Sequence, residues 1–576
     1  MFDEGYRVES SNTEPSVPIQ LKILHYIKQI KIQIVVLFLA TLLAYSSSFN
    51  VPFYLDDYHS IVENPIIHDI STMFEKRNFQ IMRLTGTYSL ATNYAIHQTS
   101  VFGYHLINIL IHFLTGLAVF FLIRALLLAQ KYKCTEMKLS ENYLLYLPFF
   151  SALLFLLHPL QTQAITYIVQ RHASLAALFY ISAMAGYVYA RLYHSMGNKD
   201  GRPWLFYFIG AVFAILALFS KEHTVTLVGA IFLIEILFFQ TFSAKKVFIW
   251  AASGLLLTVI LALSLHYFMG VSFELIDRYT HTADVKHISR LEYFSTQMLV
   301  LWTYIKLFFI PLGLHLDYDV TLQKSIFNIS VIIALMGHIA ILVGSLFFAR
   351  QKPLLTFAVF FYYLAHSVES GVIPILDLAF EHRSYLPNLG LTILVAWLLV
   401  TSFELIKNKL AAIIIISLLF FVLAGLTIQR NNQWANPIAF YQNEATLSPN
   451  KERVWAELGK VYLQDKQFNK ALQAFGQALN LSKEGNTINA LPTTFLNTYI
   501  ALFHAKQLKK AQYFESIMPI NSLTIHDRSV FYFIQGNRLV INKEYLKAVK
   551  SYQQAVQLNP GNLDAKANLA ALYIQS

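Results

Sequence analysis

Eleven apolar runs constrain this chain more than any other feature; they lie at roughly 32–49, 104–128, 143–157, 173–193, 204–219, 223–241, 247–269, 326–349, 354–370, 388–405 and 410–428. A helix needs about 20 residues to cross bilayer hydrocarbon, and these runs approach that length. Hydrocarbon offers no partner to a free amide or carbonyl, so such runs fold as helices and pack side by side. Composition agrees: of 576 residues, 56% are hydrophobic and 13% charged, with mean hydropathy +0.48. A soluble chain of this size carries roughly twice that share of charge. The expected fold class is therefore all-α: a polytopic membrane helix bundle of about eleven spans, followed by a soluble helical solenoid.

Residues 1–31 read as a polar cytosolic leader, and residues 32–430 as the membrane domain. No small-residue cleavage site follows the first apolar run, so it is read as an uncleaved span. The single cysteine, Cys134, rules out an internal disulfide. Basic residues in short loops orient the spans. Lys28 and Lys31 place the leader inside, and Lys131, Lys133, Lys138, Lys245, Lys246, Arg350, Lys352, Lys407 and Lys409 return inside. The alternation holds if Gln297–Leu314, which carries Lys306, is a re-entrant or surface-lying helix rather than a complete crossing; a full span with one further missed span restores the count differently. The tail after Arg430 then lies outside.

This arrangement collects the ionisable loops on one face, which implies a site opening there. The first outer loop, 50–103, carries Asp56-Asp57 at the mouth of the first span. A carboxylate beside hydrocarbon is costly to keep, so a role is the default reading. One is general-base chemistry on a hydroxyl. Adjacent side chains on an extended segment point opposite ways, so one of the pair is expected to face the site. Farther along the loop come Arg83, able to face an anion, and Tyr88, Tyr94 and His97, read as a surface helix.

Later outer loops carry His158 and Gln161, with Arg171 close behind; then Lys221, Glu222 and His223; then Asp317 and Asp319; then Glu381, His382, Arg383 and Tyr385. Arg171 reads either as a planar fork for phosphate or as a snorkelling anchor. Arg383 is the strongest candidate for a lipid phosphate, with Tyr385 as an interfacial alternative. Asp317 and Asp319 show no compelling ligand spacing; no metal site is assigned, and a divalent cation is left open. No GxxxxGK[ST], HExxH or GxSxG motif occurs, and no nucleic-acid module is present.

After a linker at 431–450 the chain turns to amphipathic soluble helices, 451–576. Trp455, Leu458, Gly459, Tyr462, Ala471, Phe475 and Ala478 follow the tetratricopeptide pattern, and Gly536, Leu539, Ala548, Tyr552, Ala555 and Pro560 repeat it. Small Gly459 and Ala471 let two helices approach while the aromatics fill the groove. A middle unit around Tyr499, Leu502 and Ala511 is degenerate, and Leu563–Tyr573 caps the stack. Of the overall +11 charge, this tail holds 15 Lys+Arg against 8 Asp+Glu, which suits anionic lipids or acidic partners as well as plain solvation. Such stacks bind peptides or serve in assembly.

Taken together, Asp56-Asp57 with Ile61 and Asn64-Pro65, the run from His158 to Arg171, Ser220-Lys221-Glu222, and Glu381 to Pro387 resemble the motifs of the transmembrane-and-tetratricopeptide O-mannosyltransferases and their bacterial relatives. The motifs come in the same order, with the repeats at the same end. The resemblance implies a GT-C membrane glycosyltransferase that takes a sugar from a polyprenyl-phosphate donor. It makes Asp56 the base and assigns Lys221, Arg383 and Arg171 to the donor phosphate, with His223, Glu381, His382 and Tyr385 beside them. It implies a protein acceptor, a bilayer setting in the bacterial inner membrane, and a site and repeats on the periplasmic side. The lipid-linked sugar is a substrate, and no cofactor is called for. Ser384 and Asn388 depart from the pattern. Two other readings stay open: a scaffold whose repeats recruit envelope proteins, and a transporter or flippase of lipid-linked sugar. With Cys134 replaced, a cysteine introduced within Tyr54–Tyr58 should react with an impermeant thiol reagent from the non-cytosolic side; labelling from the cytosol alone would invert the topology.

Overall fold

The computed structural model describes residues 19–74, 83–133, 140–198, 200–240, 288–484 and 492–575, all helices and loops with no strand among them. The expected span 247–269, Cys134, Lys138, Lys245, Lys246 and most of the 270–292 stretch lie outside these residues.

The membrane portion is built from α1 (Ile19–Ala44), α2 (Leu84–His97), α3 (Val101–Lys133), α4 (Glu141–Leu157), α5 (Arg171–Ser195), α6 (Arg202–Leu218), α7 (Leu227–Ile234), α8 (Arg290–Phe309), α9 (Ile329–Leu346), α10 (Pro353–His366), α11 (Asn388–Leu405) and α12 (Lys409–Trp434). Among the described residues, six helices are long and apolar enough to cross a membrane, and seven if α4 and the bent segment after it form one span. The count falls below eleven partly because α6 and α10 are short. α10 stops at His366, where the chain leaves the helix to build a polar loop. Irregular backbone is tolerated there because protein surrounds it. Where α5 and α6 cross, a Cβ on Gly186 would stand 2.9 Å from the Cα of Gly210. Small residues are what allow such backbone approach between membrane helices. On the opposite flanks α9 and α12 turn Ile333, Met336, Ile414 and Phe421 outward, as lipid-facing surfaces do.

α8 covers the first part of the Gln297–Leu314 stretch. Its first turn is tied by the Tyr293 hydroxyl, which donates to the Glu369 carbonyl at 2.5 Å. Its last turn is tied by the Phe308 carbonyl, which accepts from His158 Nε2 at 2.7 Å. α8 is one unbroken helix whose middle packs along α9: Trp302 Nε1 donates to the Ala334 carbonyl at 3.0 Å, and His338 Nε2 meets the Met298 carbonyl at 2.9 Å. It is not among the helices long and apolar enough to cross a membrane. α2 forms where a surface helix was expected, burying Leu90 and Ala91 and exposing Tyr88 and Ile96.

The 431–450 stretch is no slack linker: α12 runs on to Trp434, and α13 (Pro437–Leu447) packs under the repeats. The repeats pair α14 (Glu452–Gln464) with α15 (Phe468–Glu484), α16 (Pro492–His504) with α17 (Leu508–Ser516), and α18 (Ile525–Ile541) with α19 (Tyr545–Leu558), under a cap, α20 (Leu563–Gln575). The glycines act as anticipated. A Cβ on Gly459 would lie 2.5 Å from Phe475, and one on Gly536 2.4 Å from Tyr552. Gly459→Val should therefore overpack the first pair at a cost of about 1–3 kcal/mol. Limited proteolysis of the repeat tail should show faster cutting near residues 451–484, with the membrane portion unaffected.

Candidate active site

The polar end begins with a strained turn. Leu55 adopts φ 37°, a left-handed conformation that bulky residues rarely hold. It throws the two acidic side chains apart. Asp57 is fully buried, and its carboxylate accepts the Tyr54 amide at 3.0 Å and the Val169 amide at 2.7 Å. Burial pushes this carboxyl up to about 8 against the pull of those amides. Asp57 is thus a bracket between the first loop and the His158–Arg171 loop, not a group available to substrate, which corrects its inclusion among catalytic candidates. Asp56 is exposed, and its backbone N–H donates to the Tyr167 hydroxyl at 2.9 Å. The Tyr54 hydroxyl donates to the Trp434 carbonyl, tying the same turn to the end of α12.

Across from it, three loops converge on one carboxylate. Lys221 Nζ stands 2.6 Å from Glu369 Oε1, and His223 Nδ1 3.9 Å from Oε2. Burial alone would raise the Glu369 carboxyl; Lys221, His223, Arg383 and His382 outweigh it and hold it well below the ordinary carboxylate range. Arg383 is buried, and one of its terminal nitrogens has no partner among the described residues. A buried guanidinium nitrogen without an acceptor is costly, so this position suits an incoming anion. Arg383 also lies 5.7 Å from the Phe380 ring centre, and Arg453 lies 5.8 Å from the same ring. Arg453, from the first repeat, binds Asp317 at 2.9 and 2.7 Å and Asp377 at 2.9 Å, and these carboxylates, with Asp56, favour its charged form. Phe380 thus stands between the Arg383 cluster and Arg453 of the first repeat.

Other candidates are occupied elsewhere. Arg171 is fully buried, spending its donors on Asn108 Oδ1 (2.6 Å), Ser89 (3.2 Å) and the Tyr104 carbonyl (3.0 Å). It braces α2, α3 and α5 and is neither a phosphate fork nor a snorkelling anchor. Tyr385 meets His112 at 2.8 Å inside the core, so it is not an interfacial residue. His158 stacks on Phe308 with centroids 4.4 Å apart, and Gln161 accepts from Asn388 at 3.2 Å. Glu381 accepts from the His315 amide at 2.7 Å and the Tyr318 hydroxyl at 2.8 Å; burial pushes it up to about 7. His382 stays in the cluster, steadied by Gln163 at 3.1 Å. Glu222 pairs with Arg83 at 3.1 Å at the rim. Asp317 is taken by Arg453 and Lys451, and Asp319 by Asn450. No group of three His, Cys, Asp or Glu residues with metal-holding geometry occurs among the described residues.

Glu369, Asp377 and Arg453 were not singled out from the sequence. Glu369 follows an apolar run in His366-Ser-Val-Glu-Ser370, and that polar break was the available signal. Nothing local marks Arg453, because it lies 76 residues from Asp377 and 136 from Asp317. Glu369→Gln should leave Lys221 with no counter-ion in a nearly closed site. The expected loss is on the order of 3–5 kcal/mol, read as a lower thermal inactivation midpoint in detergent.

Residues 452–484 match the tetratricopeptide repeat family model. The chain is 22% identical to the mouse (Mus musculus) protein named Protein O-mannosyl-transferase TMTC3, over 92% of this chain and 64% of that protein. It is also 22% identical to Protein O-mannosyl-transferase F38B6.6 of Caenorhabditis elegans, over 74% of this chain and 59% of that one. A human (Homo sapiens) relative, Protein O-mannosyl-transferase TMTC2, is 26% identical over 32% of this chain and 20% of its own length. The chain thus spans less than two thirds of the length of these relatives. It is a membrane-helix and tetratricopeptide protein similar along most of its length to proteins named as O-mannosyl-transferases, the resemblance its motifs carry.

Proposed function

We propose that this chain is a membrane protein O-glycosyltransferase. It transfers a sugar from a polyprenyl-phosphate donor to a hydroxyl of a protein, on the non-cytosolic face and in a bacterial inner membrane. The observation that supports the proposal is a buried Lys221–Arg383 cluster whose guanidinium has a nitrogen to spare, in a chain that also exposes the carboxylate of Asp56. Lys221 and Arg383 hold the donor phosphate and stabilise the charge that grows on it as the sugar departs. Asp56 takes the proton of the acceptor hydroxyl, which attacks the anomeric carbon. One displacement inverts that centre. The orientation rests on the basic residues at the other end of the bundle, Lys352 and Lys409 among them.

A groove of about 510 Å³ between α1, α4 and α12, lined by Val36, Leu43, Phe150, Leu157, Phe420 and Phe421, supports a lipid-linked donor. Its walls are aliphatic and aromatic, and it opens toward hydrocarbon. A prenyl chain lying there would put its head near the ends of α1 and α4, where the first loop begins.

Purified protein supplied with polyprenyl-phosphate sugars and an envelope extract should move sugar onto protein. Movement of intact donor across vesicles without transfer would favour a flippase instead. Asp56→Asn should lower turnover by about 100-fold or more while the protein stays folded in the membrane. Wild-type turnover in that variant would remove Asp56 from the base role.

A further inference from the structure

Each repeat pair in the tail turns on a lysine in the left-handed conformation: Lys466 at φ 60°, Lys506 at 57° and Lys543 at 62°. This region strains any residue with a Cβ, and glycine or asparagine is the ordinary occupant. The three turns occupy the same position, between α14 and α15, α16 and α17, and α18 and α19. All three lysines are exposed; their backbone amides close the turns on Leu463, Phe503 and Val540, and their side chains have no hydrogen-bond or ion-pair partner among the described residues. Strain kept where a strain-free residue would serve the turn equally well points away from folding and toward use.

The surroundings indicate what the use is. Lys470, Lys509, Lys510, Lys547 and Lys550 are exposed on the following half-turns, and the acids nearby are Asp465 and Glu544. Glu544 is partly neutralised by Lys547 at 2.7 Å. Between the first two turns lies a hollow of about 430 Å³ lined by Lys466, Phe468, Lys470, His504 and Lys506. Its floor is the stacked pair Phe468 and His504, with centroids 5.2 Å apart. We infer that this edge is a docking surface for an acidic polypeptide segment, whose carboxylates step along the lysine ladder while an apolar side chain rests on the Phe468–His504 floor. The edge is one α14 length, about 20 Å, from Lys451 and Arg453, where the repeats join the bundle. The charge therefore faces away from that joint, which favours a polypeptide over the headgroups around the bundle. The inference does not depend on sugar transfer, and its test reads binding alone.

The full chain in phosphatidylcholine nanodiscs should bind a labelled poly-glutamate peptide, followed by anisotropy, and bind it more weakly as salt rises. Joint substitution Lys466→Gly, Lys506→Gly and Lys543→Gly should weaken binding by about tenfold or more without lowering the thermal midpoint. Joint substitution of the same positions by Arg should retain binding. The inference is overturned if poly-glutamate does not bind, or if the glycine variant binds it equally well. It is equally overturned if that variant melts lower, because the lysines would then serve the fold, or if phosphatidylglycerol vesicles displace the peptide from the wild-type chain.

Discussion

A buried carboxylate holds this polar end together. Asp57 accepts two backbone amides, one from its own turn and one from the loop after α4. An amide left without an acceptor at such depth costs about 1–3 kcal/mol, so the bracket fixes two loops at once. Its consequence is the placement of its neighbour. With Asp57 turned in and Leu55 forced into a left-handed turn, Asp56 has no direction left but outward. Tyr54 extends the same restraint to Trp434 and, through α13, to the repeats.

The opposite wall is governed by charge balance. Lys221 and Arg383 are buried cations near the carboxylate of Glu369, with Asp377 also acting on Arg383 and three histidines nearby. Buried charges persist only when paired, so a surplus of cations is a standing demand for an anion. Phe380 lies between Arg383 and Arg453 and couples that demand to the repeat domain, whose Arg453 is itself held by Asp317 and Asp377. The first repeat is accordingly packed against the polar end of the bundle.

Much of this was legible in the residues, and the failures have a common physical cause. Lys221, Arg383 and Asp56 were singled out because ionisable groups interrupting apolar runs are expensive, and the fold leaves Asp56 exposed and a buried Arg383 nitrogen without a partner among the described residues. Arg171 sits in an equally suggestive motif yet spends its donors on Asn108, Ser89 and Tyr104, and Tyr385 is turned into the core against His112. A motif records residue types, whereas a role depends on which partners exhaust their hydrogen bonds. Glu369 and Arg453 show the converse: each acts through partners far away in the chain, so local pattern gave them no emphasis.

The sequence by itself determined the class of molecule. Apolar run length sets helices across a bilayer, small residues at fixed spacing set the repeat pairs, and interrupting polar residues mark one end of the bundle. These are local consequences of solvation and backbone geometry. Tertiary structure alone decided that α8 is tied to Glu369 at one end and His158 at the other, that Asp57 braces while Asp56 is exposed, and that a repeat arginine pairs with Asp317 and Asp377. Those outcomes depend on burial and on pairing between distant residues, energies that exist only once the chain has closed on itself.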